Sequence, residues 1–380
     1  MARIILGSYM IRYPLGGMMS WVLQYLRGLQ ALDHQVYFVE KSGYRNACYN
    51  PMDGTMTDDC TYGMNVVDNL LARFDMGDSW CFVDRAGTYY GMSKQEIEDI
   101  FRSADVFLDM GTHGSWLEEA QQTDLRVLID GEPGFTQLKM AEDWQSGEEM
   151  SAYEYYFTTG QNVGTSQSSV PTAGKAWKHT LHPVDTELVT PVALPESGAF
   201  TTVMNWQSYE ERTHDGVTYG HKDREFEKFA TLPRQVSTPL EIAVSGNVPE
   251  ERLSHLGWRV RNAQEISISL DRFYRYIANS RGEFSVCKHG YVTTQCGWFS
   301  DRSAAYLATG RPVILEDTGF SAHLPCGEGL FAVRTIEEAA DAITEIERRP
   351  TYHARRAREI AKEYFDAPKV MSRFLNQLDI

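Results

Sequence analysis

Residues 297–320 read GWFSDRSAAYLATGRPVILEDTGF. The stretch passes from a loop into a short helix, through a TGRP turn into an apolar strand, and out into a second glycine-containing loop. Ser-Asp-Arg therefore stands at a helix start, and Glu-Asp-Thr-Gly just past the carboxyl end of a strand. In an α/β sheet both places present ligand-binding groups. Free N–H groups and the helix dipole attract anions at the first, and loop side chains converge at the second.

Working outward, the same alternation fills the second half of the chain. FTTVMNW, LEIAVSG, GWRVRNA, EFSVCKHG, RPVILED and EGLFAVRT read as strands. KDREFEKFATL, SLDRFYRYIANS and DRSAAYLATG read as helices, and two longer ones follow in IEEAADAITEIERR and TYHARRAREIAKEYFD. The first half opens with ARIILGSY, a PLGG loop, the helical spacing of MMSWVLQYLRGLQAL and the strand HQVYFVE. VFLDMG, LRVLIDGEP and YEYYFTTG continue it. Residues 43–95 are polar and rich in Gly, Asp and Asn, so loops with one helix near 64–74 are expected there. A boundary falls near 186–198, in TELVTPVALPESG, which has two prolines and no periodicity. The fold class is therefore α/β. Two Rossmann-like, doubly wound domains face each other across a cleft, one over residues 1–190 and one over 191–365.

Composition narrows the function. Of 380 residues, 42% are hydrophobic and 23% charged, as in a folded globular protein. The net charge of -16 opposes nonspecific nucleic-acid binding, which needs a basic face. No stretch approaches the ~20 apolar residues of a membrane span, and the N-terminus lacks the features of a signal peptide, so a cytoplasmic location is expected. The six cysteines show no CxxC pair and no metal-ligand spacing. All six are expected as free structural thiols, with Cys287 and Cys296 buried.

Residues 304–346, AAYLATGRPVILEDTGFSAHLPCGEGLFAVRTIEEAADAITEI, resemble the nucleotide-sugar domain of GT-B fold glycosyltransferases. A helix ends in a small residue and glycine, a G-x-P-V-I strand follows, then an Asp-x-Gly loop, a G-x-G turn, a strand and a helix opening with Glu-Ala. Residues 7–29, GSYMIRYPLGGMMSWVLQYLRGL, look like the first strand and glycine loop of that family. The resemblance implies a GT-B glycosyltransferase with the donor in the second domain and the acceptor in the first. It also implies that a last helix, residues 366–380, packs back on the first domain. The implied co-substrate is a nucleoside-diphosphate sugar, and no cofactor and no metal are expected. Many retaining members carry two glutamates eight residues apart, and Gly297 and Ala305 stand at those positions here.

The expected donor-binding residues are Ser300, Asp301, Arg302 and Ser303 at the helix start, and Lys222 and Lys288 as rival cations for the diphosphate. A leaving nucleoside diphosphate gathers negative charge, so a positioned cation lowers the barrier. Glu316, Asp317, Thr318 and Gly319 are expected on sugar hydroxyls, although a plain turn uses the same residues. Gly16 and Gly17 let the first loop approach a ligand closely, although a tight turn without a ligand uses the same glycines. Each candidate for the base that takes the acceptor proton follows a strand: Asp109, His113, Asp130 and Glu132, with Gln137 beside them. Trp206, Tyr209, Trp298 and Phe299 flank the donor loops, for stacking or for the core.

A small-molecule acceptor is expected over nucleic acid. The alternatives are a macromolecular acceptor, such as a hydroxymethylated DNA base or a polysaccharide, and a non-transferring sugar-nucleotide binder or epimerase on the same fold. A macromolecular acceptor needs a basic or aromatic groove on the first domain. Arg12, Arg27, Lys41, Arg45, Arg73, Arg85, Lys94 and Arg102 supply a basic face if they cluster.

Overall fold

The computed structural model describes residues 1–145 and 153–380. Two sheets carry it. In the first, the strands run in the order Trp177–His179, Tyr155–Thr158, Leu125–Asp130, Val106–Asp109, Arg3–Gly7, Gln35–Lys41, Trp80–Val83, Tyr89–Gly91. Neighbours are parallel except at the last, antiparallel edge pair. The second sheet is all parallel, in the order Arg259–Asn262, Leu240–Ser245, Phe200–Asn205, Gly282–Ser285, Val313–Glu316, Leu330–Val333. In each sheet the direction of winding reverses beside the first strand. The reversals lie between Arg3–Gly7 and Val106–Asp109, and between Phe200–Asn205 and Gly282–Ser285. Helices on both faces leave the central strands no exposed side, so Ile4–Leu6 and Val313–Leu315 read as unbroken apolar runs.

The last helix, Ala367–Asn376, crosses back to the first sheet. Its Val370, Met371, Phe374 and Leu375 share one core with Ile4, Leu6, Val22 and Leu26. The rings of Phe374 and Phe157 lie 4.4 Å apart. Gly28 makes the crossing possible, because a Cβ there would sit 2.8 Å from the Ala367 carbonyl oxygen. Among the described residues no helix is long and apolar enough to cross a membrane.

The polar stretch 43–95 holds more structure than its composition suggests. A hairpin pairs Cys48–Asn50 with Thr55–Thr57, the helix there spans Thr61–Ala72, and Trp80–Val83 joins the main sheet. Strands this short give no readable period. The expectation of six free thiols is corrected here: Cys48 and Cys60 form a disulfide with Cα atoms 5.3 Å apart, tying the hairpin to the helix that follows. Cys81, Cys287, Cys296 and Cys326 remain free.

Candidate functional site

A cleft of about 1060 Å³ runs between the carboxyl ends of the two sheets, where both windings reverse. Its second-sheet wall includes Val203, Met204 and Asn205 from the first strand of that sheet, Lys222 at the start of helix Lys222–Phe229, and Ser300, Asp301 and Arg302 at the start of helix Asp301–Ala308. The Ser300 hydroxyl makes no capping bond, so the open first-turn N–H groups are left to a ligand.

Lys222 is 8% exposed, and its amine has no hydrogen-bond or ion-pair partner among the described residues. Burial, and then the charge of Arg302, push its pKa down to about 7. Every other lysine or arginine lining the cleft faces a carboxylate. Lys139 pairs with Asp143, Arg212 with Glu142, Lys288 with Glu132 and Arg302 with Glu283. Lys222 is thus the one cation there, among the described residues, still available to an anion.

Arg302 takes a different position from the one its place in the helix suggests. Its side chain is only 10% exposed, and its fork faces inward. Nε donates to Glu283 Oε1 at 2.6 Å, one Nη to the Val203 carbonyl at 2.8 Å and the other to Ser285 Oγ at 2.8 Å. It clamps the two strand ends at the reversal point. Ser303, with a buried hydroxyl that has no partner among the described residues, lies behind it.

The loop at residues 316–319, expected on sugar hydroxyls, is not among the residues lining the cleft. Glu316 turns into the sheet, where it accepts from the Cys287 N–H at 3.1 Å and lies 3.4 Å from Lys228 Nζ. Burial, then the neighbouring Glu225, push its pKa up to about 9. Asp317 folds a turn, accepting from the Gly319 N–H at 2.9 Å and from Arg334 at 2.8 Å. Thr318 donates to the Trp298 carbonyl at 2.6 Å, so the loop holds Trp298 against the cleft. Gly319 takes a φ of 95° in that turn.

On the first-sheet side, Asp109 is fully buried and lies outside the cleft. It accepts from the N–H groups of Thr112 and Gly114 at 2.8 and 3.0 Å, and from the Tyr153 hydroxyl at 2.6 Å. The turn it clamps carries His113 into the cleft wall. Asp130 lies on the floor and accepts from the Glu132 N–H, Gln137 Nε2 and Thr158 Oγ1 at 2.7–2.8 Å; burial raises its pKa against those bonds. Glu132 reaches across the cleft to Lys288, and Tyr209 donates to it at 2.7 Å. Gly16 lies at a close packing contact. A Cβ there would stand 2.6 Å from Phe273 Cβ and 2.7 Å from the Ser269 carbonyl oxygen, at the junction of the two halves. Gly17 lines the cleft. Trp206 and Phe299 pack in cores, against Phe226 and Phe365.

Several cleft residues carried no sequence signal. His182 follows a strand of three residues and lies in a stretch without periodicity. Its ring is packed edge-on by Trp21, Tyr25 and Trp298 at 6.4–6.5 Å, with the Tyr25 hydroxyl 3.4 Å from Nδ1. Burial holds its pKa below the ordinary histidine value, against the charges of Asp301 and Glu132, so the neutral ring faces the cleft. The indole N–H groups of Trp21 and Trp298 are buried with no partner among the described residues. Buried donors of this kind await an acceptor.

Of the eight basic residues that a macromolecular acceptor would draw on, seven face carboxylates among the described residues. Arg12 pairs with Glu40, Arg27 with Asp185, Lys41 with Glu119, Arg73 with Asp271, Arg85 with Asp58, Lys94 with Glu98 and Arg102 with Asp99. Arg45 has no such pair. Among the described residues no group of three or more His, Cys, Asp and Glu side chains is gathered as a metal site.

Solved structures share this architecture along the whole chain. An alpha-glucosyltransferase in complex with UDP and a 13-mer DNA containing a central A:G mismatch superposes with a TM-score of 0.59 at 11% identity, over 100% of both chains. Anabaena HepE in complex with UDP and glucose does so with a TM-score of 0.58 at 11% identity, again over 100% of both. The chain has the GT-B fold. TarM matches with a TM-score of 0.56 at 11% identity, over 99% of this chain and 98% of that one. No protein-family model and no curated protein sequence matches the chain. The geometry also explains why this GT-B chain lacks a glutamate at Gly297. The residue has a φ of 78°, and a Cβ there would lie 2.8 Å from the Asn162 backbone nitrogen. Ala305 is 1% exposed, packed in the core.

Proposed function

We propose that the chain is a glycosyltransferase moving a hexosyl or pentosyl group from a nucleoside-diphosphate sugar to an acceptor hydroxyl. The observation that carries this reading is Lys222, a buried cation without a carboxylate, set in the cleft beside the open start of helix Asp301–Ala308. A buried amine left unpaired destabilises the empty protein, and a diphosphate supplies the missing charge. The fold supports it too, since solved structures of the same fold hold UDP.

In this reading the bond from the anomeric carbon to the diphosphate oxygen breaks, and one to the acceptor oxygen forms. Negative charge grows on the departing diphosphate, and Lys222 with the first turn of Asp301–Ala308 stabilises it more strongly in the transition state than in the bound donor. Ser300 and Asp301 stand in that turn, and Arg302 braces the strand ends behind it. The acceptor hydroxyl gives its proton to the imidazole of His113 or His182 on the first-sheet side. There His113 and His182 line the cleft, whereas Asp109 is spent on its turn and Glu132 is held by Lys288.

Thermal denaturation with UDP, ADP and GDP tests the reading. At 100 dissociation constants the matching diphosphate stabilises the fold by about 2.7 kcal/mol, and the corresponding nucleoside by far less. Absence of any diphosphate shift would overturn the reading. Donor turnover that needs an acceptor separates transfer from epimerisation.

A further inference from the structure

The outer wall of the cleft on the first-sheet side is aromatic. Tyr9, Tyr13 and Tyr49 line it. The rings of Tyr13 and Tyr49 stack 6.5 Å apart at 22°, and Tyr9 meets Tyr13 edge-on at 6.1 Å. The wall is held from behind. Glu40, at 0% exposure, accepts from the N–H groups of Met10, Ile11 and Arg12 at 2.8, 2.7 and 3.0 Å, and from Arg12 Nε at 3.0 Å. Four bonds to one buried carboxylate fix the loop between Tyr9 and Tyr13. The Tyr49 N–H donates to the Arg12 carbonyl at 2.7 Å, and the Cys48–Cys60 disulfide ties Tyr49's hairpin to the next helix. Gly63 lets that helix touch the loop, since a Cβ there would overlap the Ile11 carbonyl.

We infer that this wall is the acceptor subsite and that it takes a pyranose ring of an uncharged saccharide. The inference rests on the glycosyltransferase reading and adds the acceptor class. A pyranose presents an apolar face of C–H groups, which packs on tyrosine rings, and a rim of hydroxyls that the phenol groups bond. A nucleic acid also stacks on aromatics, but its phosphates need unpaired cations. Arg12, behind this wall, has its charge met by Glu40 and its guanidinium over the Tyr9 ring at 5.3 Å, and the lysine that lines the cleft on this side, Lys139, pairs with Asp143. Aromatic faces without spare positive charge select a neutral sugar.

Saturation-transfer NMR on the full chain, with neutral gluco-, galacto- and manno-trisaccharides and with single- and double-stranded oligonucleotides, tests this. The expected result is transfer from aromatic protons to the ring C–H protons of at least one trisaccharide. Tyr13→Ala and Tyr49→Ala should each weaken that binding by about tenfold or more, while the UDP-induced thermal shift stays as in the wild type. Tyr49→Leu, which keeps apolar volume but removes the ring face, gives the same readout if an alanine variant fails to fold. No trisaccharide binding, binding that survives loss of both rings, or preferential oligonucleotide binding would each overturn the inference. Absence of a thermal shift with UDP, ADP and GDP alike in the wild type is a separate outcome and would sink the transferase reading instead.

Discussion

Arg302 and Glu283 form a buried ion pair at the point where the second sheet reverses, Nε to Oε1 at 2.6 Å, with side chains 10% and 0% exposed. Two further donors of Arg302 hold Val203 and Ser285, so one guanidinium joins adjacent strand ends. Arg302→Ala leaves Glu283 buried without its charge partner, a loss on the order of 3–5 kcal/mol. The expected outcome is a lowered melting temperature with the diphosphate-induced shift retained. Arg302→Lys recovers only part, because an ammonium cannot make the fork. An unchanged melting temperature with the shift lost would show that the fork faces the donor.

Lys222→Met should do the opposite. The empty protein melts at the same or a higher temperature, since a buried unpaired charge is replaced by an apolar chain of similar length, and the diphosphate shift disappears. The group also sets a pH dependence. Its pKa falls from 10.5 when unfolded to about 7 when folded. Below pH 7 both states hold the proton and the full cost of burying the charge is present. That cost falls as pH rises from 7 towards 10.5, so this group makes the empty fold relatively more stable there. Binding a diphosphate needs the charged amine, so donor affinity should weaken above pH 7, by at most about tenfold per pH unit. Calorimetry in two buffers of different ionisation heat checks the proton uptake. Lys222→Met should abolish it.

Glu132 occupies Lys288 across the cleft. Glu132→Gln releases that ammonium into a site 11% exposed at the lysine side chain. Diphosphate affinity should rise severalfold and become more salt-dependent, read by titration at low and high ionic strength. A weaker affinity would mean that the pair's task is to orient Lys288 and Tyr209 rather than to screen them.

Gly16→Ala drives a methyl group into Phe273 and the Ser269 carbonyl at the junction of the halves. Overpacking of this kind costs about 1–3 kcal/mol. Stability and kcat/KM should both fall, whereas Gly17→Ala, with nothing nearer than 3.8 Å, leaves stability unchanged. Equal melting temperatures for the two variants would contradict the close approach.

What the sequence determined by itself is the alternation of strands and helices, and with it the doubly wound sheets and the loops that hold Lys222, Ser300–Asp301 and His113. Those signals are local: an apolar run four to seven residues long, a helical spacing, a glycine at a turn. Tertiary structure alone decided which polar groups remain free. Arg302 and Glu283 are 19 residues apart, and Lys288 and Glu132 156. No periodicity encodes such partners, so the two rival lysines looked alike until one met a carboxylate and the other did not. The same holds for the tyrosine wall, whose loop a buried Glu40 fixes and whose hairpin lies in a stretch that composition alone marks only as polar. A charge or a ring gains its function from what surrounds it, and the fold supplies those surroundings.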